Sequence, residues 1–187
     1  LQHLGATYAL FIDGGGLTIS VNGNDVFTRT FENWAYPPGY EPQEKSGPID
    51  FKDKGKIEVS ITGGLIKSHR GTESNNDEYG VYFYCNDRLI SRANKSREVG
   101  FNNTPFLGKP HPRFSLSRVI VKLTGPVSLM PWNSSKSEID FKHKAYKEIE
   151  EHIKRMIFTY ASMSGNWEGQ WPEKVFQYTI GKVKKEK

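Results

Sequence analysis

The feature that most constrains this chain is one long apolar stripe near its C-terminal end. From about Asp140 to Met163, the residues Tyr146, Ile149, Ile153, Met156, Ile157 and Tyr160 keep the rhythm of a single helix face. Asp140 at the start suits an N-cap and the positive end of the helix dipole, and Ser164-Gly165 reads as the stop. A lone amphipathic helix cannot bury its own stripe, so the rest of the chain must offer a broad apolar face.

The preceding residues offer one through alternation of period two. Lys56–Ile61, Gly80–Cys85 and Ser115–Leu123 read as strands, the last with Leu116, Val119, Val121 and Leu123 as its apolar members. Asn86-Asp87-Arg88 is a turn into a short return strand, Leu89–Ser91. Leu17–Val21 alternates too, and Asn22-Gly23-Asn24 is a strong hairpin signal with Asp25–Thr28 returning. A final strand is expected at about Val175–Ile180. Residues 2–12 place Leu4, Tyr8, Phe11 and Ile12 at helical spacing, ended by Gly14-Gly15-Gly16. Pro37, Pro38, Gly39, Pro42, Gly47 and Pro48 predict loop over 33–50, the best candidate for a linker. Residues 67–78 read as an exposed hairpin loop, 101–114 as an ordered loop, and 125–135 as loop. The fold class is therefore α+β: a mostly antiparallel sheet with its helices on one face. The division expected is 1–32 as an entry piece, 33–50 as loop, and 51–187 as the main domain.

Composition narrows the function classes. The chain has 187 residues, 26 Lys and Arg against 21 Asp and Glu, and a net charge of +5. Its 11 Phe, 9 Tyr and 4 Trp can fill a core, which argues against global disorder. No apolar run approaches the ~20 residues a membrane helix needs, so no membrane partner is expected. Asn94, Asn102 and Asn133 begin glycosylation-type triplets, but nothing else suggests secretion. One cysteine, Cys85, excludes an internal disulfide framework and fits a reducing, cytoplasmic home. The chain begins at Leu1 without an initiator Met and ends in a basic tail, which reads as an excised piece of a larger protein.

Most candidate chemistry has a plain structural reading. Cys85 sits inside an apolar strand and reads as a buried thiol rather than a nucleophile. His3, His69, His111, His143 and His152 are scattered, with no metal-binding pair. The triple glycine has no strand before it and no following Lys-Ser/Thr, so it is a helix stop rather than a phosphate loop. Lys142, Lys144, Lys147, Lys154 and Arg155 interleave with Glu148, Glu150 and Glu151 as a salt-paired helix face. Trp167 and Trp171 read as packing of the post-helix loop onto the sheet. Arg88 reads as an anchor of its turn. One segment remains: Met130-Pro-Trp-Asn-Ser-Ser-Lys136-Ser-Glu-Ile-Asp140-Phe holds a lysine in a polar loop between a core strand and the long helix.

Three stretches, in order, carry a family resemblance. Leu17-Thr-Ile-Ser-Val-Asn-Gly-Asn-Asp-Val26 is similar to the strand–turn–strand that follows the nucleotide-binding domain of GHKL-superfamily ATPases (gyrase, heat-shock chaperone, histidine kinase, MutL). Tyr79-Gly-Val-Tyr-Phe-Tyr-Cys-Asn-Asp-Arg-Leu-Ile90 resembles the "YGxxxYxNxRLI" signature of the microrchidia (MORC) type and its bacterial relatives. Pro131–Phe141 before a long helix resembles their "PxxNKxDF", with two extra residues between Asn133 and Lys136 and two more between Lys136 and Asp140. The resemblance spans roughly residues 1–163 and implies a transducer domain of the ribosomal protein S-five domain 2-like fold. It implies that Lys136 contacts the γ-phosphate of ATP, with Asn133 and Ser135 shaping its loop. It further implies that ATP and Mg2+ are held mainly by an upstream ATPase domain, that the ATP-bound protein closes a homodimer, and that this piece alone does not hydrolyse ATP. A nucleic-acid-binding module, with DNA as a possible partner, is the alternative; the sequence pI of about 9.2 permits it. A protein-interaction domain is a third reading.

Overall fold

A computed structural model describes residues 1–36, 39–66, 78–101, 116–166, 177–180 and 184–185. The strand with the strongest β-branched run organises the rest. β8 (Ser117–Thr124) is paired on both edges and buried along nearly its whole length. It runs antiparallel to β5 (Lys56–Leu65), with Val121 opposite Ile61, and parallel to β6 (Gly80–Cys85), with Val119 opposite Val81. β5 pairs outward with β4 (Gln43–Asp50), and β6 with β7 (Arg88–Asn94). The five strands lie in the order β4-β5-β8-β6-β7, with the two-residue β10 (Lys184–Lys185) added in parallel to β4. All but one of the pairings among the five are antiparallel, and the molecule is α+β.

The long helix, α3 (Lys144–Asn166), covers one sheet face. Tyr146, Ile149, Ile153, Met156, Ile157 and Tyr160 are all buried there, with Ile57, Ile61, Val81, Phe83, Val119 and Val121. Full burial of such a side chain is worth about 1.5–3 kcal/mol, so this stripe anchors the helix. The alternate residues Tyr82, Tyr84 and Ile120 point to the other face, as a period of two requires.

That second face is also covered. Trp34 and Tyr36 of β3 (Asn33–Tyr36), together with Phe31, close over Tyr82, Tyr84 and Ile120. β3 pairs antiparallel with β9 (Gln177–Ile180), the expected final strand. The two short helices α1 (Gln2–Thr7) and α2 (Ala9–Asp13) belong to this side, where Ala6 joins the cluster, so they do not share α3's face. Gly63 and Gly64 let both coverings come close. A Cβ on Gly63 would meet Met156 Sδ at 2.9 Å, and one on Gly64 would meet Trp34 Cε3 at 2.6 Å.

Several expectations need correction. The expected loop over 33–50 contains two strands, β3 at Asn33–Tyr36 and β4 at Gln43–Asp50. Pro48 is tolerated because β4 pairs beyond Gln43 and Glu44 with β5 alone among the described residues, and proline is admitted on a strand edge. The segment 67–78 does not close a hairpin, because β8 lies between β5 and β6; residues 67–77 themselves lie outside the described residues, as do 102–115. The N-terminal helix breaks at Tyr8, and its buried residues are Gly5, Ala6, Thr7 and Ala9 rather than the large ones. Small residues win there because the helix lies against the chain at Phe27, whose carbonyl oxygen a Cβ on Gly5 would overlap. The hairpin at Asn22-Gly23 forms with the positive φ of 53° and 78° its turn demands, but its ladder is only β1 (Ser20–Val21) against β2 (Asn24–Asp25). α3 passes through Ser164 and Gly165 to Asn166. The Ser164 hydroxyl donates back to the Ala161 carbonyl at 2.7 Å, and one glycine costs a helix only about 1 kcal/mol.

Candidate functional site

β8 ends at Thr124, and the chain then turns through Gly125-Pro126 and a 3-10 turn, Val127–Leu129, into the lysine loop. The turn between β6 and β7 lies at the same end of the sheet. Asn86 and Asp87 both take positive φ there, and the Asn86 side chain grips the start of the next connection. Its Oδ1 accepts the Gly125 N–H at 2.9 Å and its Nδ2 donates to the Gly125 carbonyl at 3.0 Å. One of the sequence stretches that carry the family resemblance is therefore bonded, through this asparagine, to the connection that leads into the lysine loop.

The loop itself is preformed. Trp132 and Ile139 make an antiparallel bridge at its base, and the Asp140 N–H donates to the Pro131 carbonyl at 2.9 Å. Asn133 organises the interior. Its N–H donates to the Glu138 carbonyl at 3.0 Å. Its Oδ1 accepts from the Ser137 N–H at 3.0 Å, the Ser135 hydroxyl at 3.1 Å and the Glu138 N–H at 3.4 Å. Lys136 sits at the apex with φ 53°, its N–H donating to the Asn133 carbonyl at 2.9 Å. A non-glycine residue in this region is uncommon, and here the asparagine's bonds over-determine it. The Lys136 ammonium lies 5.0 Å from the Trp132 ring centroid, a cation–π distance. Lys136 and Ser135 are exposed and Asn133 is half-buried.

No family model and no curated protein matches this chain.

The remaining candidates take structural places. Cys85 is fully buried, and burial pushes its thiol up to about 12, so the nucleophilic thiolate is scarce at neutral pH. Arg88 is half-buried with its guanidinium 5.5 Å from the Tyr8 ring, tying the N-terminal helices to β7. Among the described residues no group of three or more His, Cys, Asp or Glu gathers as a metal site, and no helix is long and apolar enough to cross a membrane. His69, His111, Trp167 and Trp171 lie outside the described residues.

Asp140 is not the N-cap of α3; His143 is. His143 Nδ1 accepts the Ala145 N–H at 3.1 Å, while Asp140 Oδ1 accepts the Lys142 N–H one turn earlier at 2.9 Å. A histidine cap carries no sequence signal, since Ser, Thr, Asp and Asn are the usual ones.

Sequence reading also missed Arg118. Alternation put it on the face opposite Val119 and Val121, where a solvent-facing arginine is ordinary. It is instead fully buried under the β3 segment. Its Nη1 donates to the Phe31 carbonyl at 2.7 Å and its Nε to the Glu78 carbonyl at 2.9 Å. Nη2 lies 3.7 Å from Glu78 Oε2 and has no hydrogen-bond partner. Burial pulls the guanidinium below its ordinary value, opposed by Tyr82 and Glu78. Nothing in the sequence announced that this face would be closed.

Proposed function

We propose that this chain is the transducer part of a GHKL-type ATPase of the MORC kind, coupling ATP binding and hydrolysis to domain rotation and dimer closure in the cytoplasm. The carrying observation is Lys136, an exposed ammonium at the apex of a loop that Asn133 fixes from within. A developing charge on a transferred phosphoryl group is stabilised by cations already in position. A lysine on a short preformed arm supplies one such point charge across a domain boundary. The resemblance of the Asn86 turn and the Pro131–Phe141 loop to the family's two signatures supports the reading, as does the hold of Asn86 on Gly125, where the chain leaves β8 on its way to that loop.

In this reading the base, ribose and Mg2+ fall to the upstream domain. The chain's own part is mechanical. Lys136 gains its phosphate partner when ATP is bound and loses it after release, which biases the orientation of a rigid sheet.

The test is Lys136→Ala in the protein that includes the nucleotide-binding domain. ATP turnover should fall roughly a hundred- to a thousandfold, the usual cost of removing one such donor, with ATP affinity changed far less. Lys142→Ala, exposed beyond the loop, is the matched control. Equal turnover for both variants and the parent, with folding intact, would remove Lys136 from the mechanism.

A further inference from the structure

The root of the Lys136 loop holds a groove that the nucleotide reading does not use. The chain enters the loop past Ser128 and Leu129 and leaves it through His143 and Lys144. The 3-10 turn after β4, Lys52–Lys54, forms the third wall with Phe51. Together Phe51, Lys54, Ser128, Leu129, His143 and Lys144 line a cavity of about 620 Å3, within the roughly 300–1,000 Å3 of small-ligand sites.

Its chemistry has one sign. Lys54 and Lys144 are both exposed, and the Lys144 ammonium lies 5.1 Å from the Phe51 ring centroid. His143 accepts the Ala145 N–H through Nδ1. A neutral ring that accepts at Nδ1 carries its proton on Nε2, so this wall presents a donor. Ser128 adds a hydroxyl. No carboxylate is among the lining residues.

Two of the neighbouring acids already hold partners. Asp50 accepts the Lys52 N–H at 2.7 Å and lies 3.4 Å from the Lys56 ammonium. The Lys52 amide first, and then Lys56, hold its carboxyl below the ordinary value, with Lys144 also contributing. Asp140 accepts the Lys142 N–H. Around the groove Lys52, Lys56 and Lys142 stand against Asp50, Asp53 and Asp140, so the surplus positive charge rests on Lys54 and Lys144 of the lining itself.

We propose that this groove binds a phosphate group, with Lys54 and Lys144 supplying charge and the His143 Nε2–H and Ser128 hydroxyl supplying direction. The two lysines stand on separate elements and are not neutralised within the groove, which is what an anion of more than one charge requires. The site does not rest on the ATPase reading, since Lys136 is not among its residues. Two sources can present this chemistry: a small polyphosphate, or the backbone of a nucleic acid.

The experiment uses the 187-residue chain, a fluorescein-labelled oligothymidylate followed by anisotropy, and sodium tripolyphosphate followed by calorimetry and by competition. Saturable binding of either probe is expected, strongest at low salt. Lys54→Gln with Lys144→Gln should weaken it at least tenfold. For the oligonucleotide, losing two phosphate contacts should flatten the log K against log salt slope by about 1.4 between about 50 mM and 200 mM salt. His143→Asn keeps an N-cap acceptor and removes the imidazole donor, so it should weaken binding without unfolding the helix. Lys122→Gln is the control, because Lys122 pairs with Glu32 on the opposite face of the sheet. Binding of tripolyphosphate that displaces the oligonucleotide, or binding of tripolyphosphate alone, supports the site with a small phosphate as its ligand. Binding of the oligonucleotide alone supports it with a nucleic-acid backbone. Saturation by neither probe overturns the proposal. So does a Lys54/Lys144 variant that behaves like Lys122→Gln while its near-ultraviolet circular dichroism matches the parent.

Discussion

Replacing Arg118 with methionine tests how the second face of the sheet is held. The side chain is fully buried, and it ties three places together: the Phe31 carbonyl, the Glu78 carbonyl, and Asn33, where both the backbone oxygen and the side-chain oxygen accept from Nη1. Methionine fills much of the volume and donates nothing. Each buried acceptor left without a partner costs about 1–3 kcal/mol. Two effects work the other way: the desolvation of the guanidinium is relieved, and Nη2 already lacks a hydrogen-bond partner. The net expectation is the range for breaking a buried charged pair, about 3–5 kcal/mol, against a total stability of about 5–15 kcal/mol for a domain. Urea unfolding followed by circular dichroism reads this as a lower midpoint with an unchanged slope. Hydrogen exchange locates it: amides of residues 29–36 should lose protection more than those of β6. Arg118→Lys should fall between, since an ammonium keeps the charge but not the planar fork of donors. A methionine variant within about 0.5 kcal/mol of the parent, the range of ordinary surface changes, would show that the β3 segment is held by its apolar contacts alone.

Two further outcomes follow from packing and burial. Gly64→Ala should destabilise by about 1–3 kcal/mol, the usual cost of overpacking, because its Cβ would meet Trp34 at 2.6 Å; Gly63→Ala should cost less, since the Met156 sulfur at 2.9 Å belongs to a flexible chain. Thermal or urea unfolding checks the order. Cys85 and Tyr79 are both pushed up to about 12 by burial, from ordinary values of 9.0 and 10.0. The folded state therefore keeps protons that the unfolded state releases. This contribution is fully present below pH 9 and is lost as pH rises through about 12. Stability measured across that range should fall, Cys85→Ala should blunt the fall, and a thiol reagent near neutral pH should label Cys85 only after denaturant is added.

The sequence by itself determined the elements whose physics is local. The α3 stripe from Tyr146 to Tyr160, the period-two run of β6, and the Asn22-Gly23 and Asn86-Asp87 turns all formed where backbone geometry and side-chain period placed them. Cys85 is buried as its apolar strand implied. The lysine loop was legible as a turn-rich segment between a strand and a helix, although its inner scaffold, the triple use of Asn133 Oδ1, was not.

Tertiary structure decided what depends on neighbours far along the chain. Prolines and glycines between 33 and 50 looked like a linker, yet β4 forms because β5 offers it a complete ladder and its other edge tolerates Pro48. Alternation in β8 foretold two faces but not that both would be covered, so the burial of Arg118 was decided only when β3 closed over it. His143 became a cap, and its ring became one wall of a groove, only once Phe51 and Lys54 were folded against the start of α3. Period and turn chemistry are properties of a few adjacent residues. Which faces meet is settled by long-range pairing, where one sheet must satisfy a helix and a returning strand at once.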